Sequence, residues 1–139
     1  MIVNLQRKLR IDASALDGFL QSLSSEIEEV NSREFSIAFV SDKRMKELNK
    51  FFRCKDSTTD VLSFPHEAES FEPDSNNLGD IVISVEQAAK QAAENGLTLE
   101  GEIKQLILHG VLHLCGYDHE IDDGEMNARE LELRDKLRI

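Results

Sequence analysis

Three of the chain's four histidines, His109, His113 and His119, fall within one eleven-residue run, HGVLHLCGYDH. Imidazole is the commonest metal ligand in proteins. His109 and His113 stand four apart, so a helix carries them one above the other on a single face. Gly116 can end that helix, because glycine takes the left-handed conformation of a helix terminus cheaply. The chain can then turn and bring His119 back towards the pair. Three converging imidazoles with a fourth position left open make the donor set of an open zinc site. The expectation is a metal held by His109, His113 and His119.

The spacing also matches the zinc-protease frame H-E-x-x-H-x-x-G-x-x-H with one departure. Where that frame has its general-base glutamate, this chain has Gly110. The metal geometry is kept and the protease's base is missing, which argues against peptide hydrolysis by that route. Cys115 lies two after His113, so on a helix it points away from the histidine face and reads as a small apolar filler. His66, beside Pro65 in an acidic stretch, reads as a surface residue rather than a fourth ligand. Asp118 can orient a ligating imidazole or cap the turn, and both readings stand.

A second group is cationic. Lys43, Arg44, Lys46, Lys50, Arg53 and Lys55 crowd into thirteen residues of a chain whose net charge is −11, and Glu47 alone opposes them there. Such a run is either a solvated helix face or a local patch for phosphates on an otherwise acidic protein. The acidic residues gather instead at 67–74 and 118–135. At 139 residues the chain is expected to form one domain with a real core. No apolar run approaches bilayer length, and MIVNLQRKLR does not read as a secretory signal. Two cysteines, Cys54 and Cys115, make no disulfide framework, so a cytoplasmic protein with reduced thiols is expected.

The elements that must position these residues are legible from periodicity. Ile2–Leu5 alternates as a short strand, and DASALDGFLQSLSSEIEEV places Leu16, Phe19, Leu20, Leu23 and Ile27 at helical spacing. EFSIAFVS alternates as a half-buried strand. Ser41 or Asp42 can cap a helix that turns Met45, Leu48 and Phe52 inward and its basic residues outward. A polar loop over 54–59 leads to a strand over Asp60–Phe64 that Pro65 ends. The segment 66–77 reads as an acidic surface loop of the kind that borders a site, and Leu78–Ile83 resumes strand character. Ser84 with Gln87 opens a helix that Gly96 closes. Thr98 caps the histidine-bearing helix, and Asp122 with Glu125 starts a last helix to Leu137, with Met126, Leu131 and Leu133 apolar. The order is β-α-β-α-β-β-α-α-α, one small mixed sheet with helices on at least one face.

The run HGVLHLCGYDH resembles the signature of the YbeY-type endoribonucleases, H-G-x-L-H-L-x-G-Y-D-H. RCKDSTTDVLSFP, from Arg53 to Pro65, and LGDIVIS, from Leu78 to Ser84, agree with the same family in the expected order. The resemblance implies an α+β fold: a small mixed β-sheet packed with about five helices, one of them a zincin-like metal-binding helix. It implies a zinc ion on His109, His113 and His119, one per chain. It also implies endoribonuclease activity selective for single strands, with a role in small-subunit rRNA 3′-end maturation and ribosome quality control. Single-stranded rRNA, the small subunit and assembly factors are the implied partners, with no membrane and no DNA. The family's active arginine carries over to Arg53.

Zinc on three neutral imidazoles keeps its full charge and strongly acidifies a water, which compensates for a missing protein base. Alternatively it polarises a phosphoryl oxygen while a ribose 2′-hydroxyl attacks. The same donors would hold nickel or copper more tightly, so the residues alone leave the metal open. Arg53 suits a phosphate because its fork of donors stays charged, and a structural ion pair is its other reading. Lys50 and Lys55 flank it and can guide an RNA backbone. No aromatic platform for bases is expected, and strand selectivity is assigned to cleft shape. Two other functions compete: a non-catalytic, zinc-stabilised ribosome-assembly factor, and a divergent metal-dependent amide hydrolase, which Gly110 disfavours.

Overall fold

A computed structural model describes residues 1–31, 33–66 and 76–139. The elements run β1 (Ile2–Asn4), α1 (Ala13–Glu26), β2 (Glu34–Val40), α2 (Asp42–Arg53), β3 (Val61–Pro65), β4 (Asn77–Ser84), α3 (Val85–Asn95), α4 (Leu99–Leu114) and α5 (Glu125–Leu137), with a 3-10 turn over Glu28–Val30. Among the described residues the fold is α+β, a four-stranded mixed sheet in the order β1-β2-β4-β3 with five helices. β1, β2 and β4 are parallel, while β3 runs antiparallel to β4 at the edge. The expected acidic loop over 66–77 lies, for 67–75, outside the described residues.

The period-two pattern of the strands builds two cores. Ile37, Phe39, Ile81 and Ile83 face a large cluster with α1, α4 and α5 side chains such as Leu16, Leu23, Ile107, Val111 and Leu133. The alternate residues Val40, Leu62 and Val82 face Met45 and Leu48 of α2. Ser41, Ser84 and Thr98 cap as expected, accepting from the Arg44, Gln87 and Gly101 amides, and Asp12 caps α1 by accepting from the Ser14 and Ala15 amides.

Three expectations are corrected. Phe52 is not buried as expected: it packs edge-on against Phe64 of β3 yet stays 54% exposed. Leu131 is likewise exposed. Helix α5 begins at Glu125 after an uncapped Gly124; Asp122 instead bonds the Gly124 and Met126 amides at 2.9 and 3.0 Å.

Among the described residues, no helix is long and apolar enough to cross a membrane.

Candidate metal centre

Helix α4 is buried on nearly every side, and His109 and His113 form the half-exposed stripe it turns to solvent. After Leu114 the chain leaves the helix through Gly116, whose φ of +99° is left-handed, with Tyr117 N–H closing on Leu112 O at 3.1 Å. This turn returns His119. Among the described residues the three histidines form the one group of its kind, with a ligand atom from each lying within 4.8 Å of the others.

Tautomers decide what the group can hold. His113 Nδ1 lies 3.0 Å from the Tyr117 carbonyl, an acceptor only, so Nδ1 carries the proton. His109 Nδ1 lies 2.8 Å from Glu130 Oε1. Burial raises the Glu130 carboxyl, but the hydrogen bond from His109 and the Arg134 guanidinium outweigh it and hold the group below the usual carboxylate range. Glu130 is therefore an anion accepting from His109 Nδ1–H. Both Nε2 atoms then direct lone pairs at each other across 3.2 Å. Two facing acceptors repel unless a cation lies between them. Nitrogens on one tetrahedral zinc, each about 2.0–2.1 Å from it, stand about 3.3 Å apart, so this pair fits that ion, with a His119 nitrogen within 4.8 Å of both. Burial, then the neighbouring His109 and His119, lowers the His113 pKa and keeps its ring neutral and ready to ligate.

Glu130 was not among the expected site residues. It is only 8% exposed, on α5, and pairs with Arg134 at 3.3 Å. Its available signal was a carboxylate inside the apolar stripe Met126, Glu130, Leu133, Leu137. Asp118 takes the capping role: its Oδ1 accepts from the Glu120 amide at 3.0 Å. Cys115 packs on the core, and burial pushes its thiol up to about 11. His66 lies outside the histidine cleft, its amide bonded to Leu78 O at 3.0 Å.

Gly110 has a packing reason. A Cβ there would stand 3.0–3.2 Å from three carbons of the Ile81 side chain, which is fully buried. Position 110 thus faces β4, not the metal, and a glutamate there would meet the sheet.

The histidines open on a cleft of about 660 Å³ that the edge strand β3 borders through Val61, Leu62, Ser63 and Pro65. Its opposite wall is the end of α2 and the loop behind it, where Arg53 and Lys55 line the space with the histidines, while Lys50 lies outside it. That loop is tied down from behind. Buried Asn49 donates to Ser57 O at 2.9 Å, and the Asp42 carboxylate accepts from Thr58, Ser84 at 3.1 Å and Gln87 at 3.2 Å. Burial raises Asp42, but these hydrogen bonds prevail and lower it. Arg53, Lys50 and Lys55 have no carboxylate partner among the described residues, whereas Arg44 and Lys46 pair with Glu47 and Asp56.

A family model described as endoribonuclease YbeY matches residues 1–138. The chain belongs to the YbeY family. An endoribonuclease YbeY from Nautilia profundicola is 48% identical over 110 residues, 79% of this chain and 76% of the relative. One from a Sulfurovum species is 40% identical over 130 residues, covering 92% and 84%. The solution structure of a Thermotoga maritima protein, 30% identical, superposes with a TM-score of 0.66 over 99% of this chain and 89% of that one. The matched span of the family model includes the segments of this chain that carry the three histidines and Arg53.

Proposed function

We propose that this chain is a zinc-dependent endoribonuclease that cuts single-stranded RNA. In this reading residues 1–139 act as one cytoplasmic domain in small-subunit (16S) rRNA 3′-end maturation and ribosome quality control, alongside the small subunit and its assembly factors. The observation that carries it is the meeting, in one cleft, of three imidazoles set to ligate and an arginine with uncommitted donors. The names of the relatives support RNA as the substrate class.

His109, His113 and His119 would hold the zinc ion, which when bound supplies Lewis acidity for water activation or phosphoryl polarisation. The Glu130 carboxylate and the Tyr117 carbonyl fix two rings so that their Nε2 atoms stay aimed. Arg53 clamps the scissile phosphate and stabilises the charge that develops on it. Lys55 within the cleft and Lys50 on the approach guide the backbone. Selectivity for a single strand is assigned to the shape of the cleft that β3, the 54–60 loop and the 116–120 turn enclose.

The test is cleavage of one labelled RNA, single-stranded or annealed to its complement, with metal-chelated and His113→Ala protein as controls against contaminating nuclease. Cutting of the single strand alone, absent from both controls, is expected. Cutting by the His113→Ala protein would refute the catalytic reading. RNA binding without any cutting would favour the non-catalytic assembly factor.

A further inference from the structure

Helix α2 ends in two aromatic rings that the core leaves uncovered. Phe51 is 80% exposed and Phe52 54%. Large apolar side chains exposed side by side ask for an occupant. The rings are nonetheless held firmly. Phe51 packs edge-on to Phe52 with centroids 4.8 Å apart, and Phe52 packs edge-on to Phe64 at 4.9 Å. Phe64 in turn rests on Val40, Met45 and Leu62. The rings themselves lie outside the lining of the cleft, but their chain neighbours Arg53, after Phe52, and Pro65, after Phe64, line it.

Charge selects the occupant. On a chain of net charge −11, the rings are flanked along the sequence by Lys50, Arg53 and Lys55, which have no carboxylate partner among the described residues. A partner that offers flat apolar faces and an anionic backbone together is a single-stranded nucleic acid. We propose that Phe51, backed by Phe52 and Phe64, is a stacking platform for an unpaired nucleobase next to the phosphate that Arg53 holds. This rests on reading the cleft as an RNA-cutting site, and it replaces the expectation that no aromatic platform exists. A base locked in a duplex cannot offer its face to the ring, so the platform adds to single-strand selectivity.

The experiment measures binding of the metal-loaded full chain to a short nuclease-resistant 2′-O-methyl oligoribonucleotide and to its abasic counterpart. Phe51→Ala is expected to weaken the base-bearing strand about 10-fold, leave the abasic strand unchanged, and leave the salt dependence unchanged. Phe51→Trp is expected to restore affinity. A combined Lys50→Ala and Lys55→Ala variant should instead weaken both strands and flatten the salt dependence. If Phe51→Ala binds the base-bearing strand as well as wild type, or weakens both strands equally, the platform is overturned and the patch belongs to a protein contact. If the wild-type chain binds neither strand, the RNA reading itself fails.

Discussion

The two walls of the cleft are built on opposite plans. On the histidine wall, two of the three rings are spoken for on their far side, by Glu130 and by the Tyr117 carbonyl, and Arg134 in turn steadies Glu130. On the cationic wall the backbone is tied down through Asp42 and Asn49, yet Arg53 and Lys55 reach out with no protein partner among the described residues. The difference follows from what each wall would hold. A metal needs several donors aimed at one point, so motion in any ring costs affinity. A phosphate on a moving strand needs donors that are charged and free, held on a firm base.

Substitutions should therefore separate the walls. His113→Ala should have the largest effect, lowering metal affinity by more than the roughly 100-fold that loss of an outer partner costs. Metal content after dialysis against a weak chelator reads this out, and undiminished content would remove His113 from the site. Glu130→Ala should weaken metal affinity about 10–100-fold by freeing the His109 ring. Glu130→Gln, which still accepts from Nδ1–H, should recover much of it; equal losses in both would show that charge, not orientation, is what Glu130 supplies. On the other wall, Arg53→Ala should lower RNA cleavage about 10–100-fold, the worth of one or two charge-assisted hydrogen bonds, with metal content unchanged. Loss of metal in that variant would erase the distinction between the walls.

The smallest effect is on stability. Asp42→Asn should destabilise the fold by about 1–2 kcal/mol at pH 7, because the amide cannot accept all three bonds as an anion does. The Asp42 carboxyl is lowered in the folded chain, so its contribution is complete above its unfolded value of about 3.9 and is lost as pH falls through its folded value. The gap between wild type and Asp42→Asn in chemical denaturation should close on acidification below about pH 4. A gap independent of pH would mean that the 54–60 loop is held by other means.

What was legible in the chain follows the range of each interaction. Strands, helix caps and the His109–His113 stripe are local, and spacing within a few residues is enough to find them. Gly116 announced the turn that returns His119. Glu130 meets His109 across 21 residues and two helices, a pairing set by how α5 docks on α4, so no local pattern names its partner. Phe52 misled for a related reason: helical period gives the direction of a side chain, here towards Phe64 of β3, but not how much of the ring its neighbours cover. Gly110 was read for the base it lacks, whereas its neighbour Ile81 explains why a glycine stands there.

The central claim is that a metal on His109, His113 and His119 drives the cutting of single-stranded RNA. Its most direct test is to strip the purified wild-type chain of metal and titrate zinc back while following cleavage. The account predicts activity that is lost on stripping and rises linearly to a plateau at about one zinc per chain, with no recovery in His113→Ala. Cleavage that survives complete metal removal, or returns equally in His113→Ala, would contradict it.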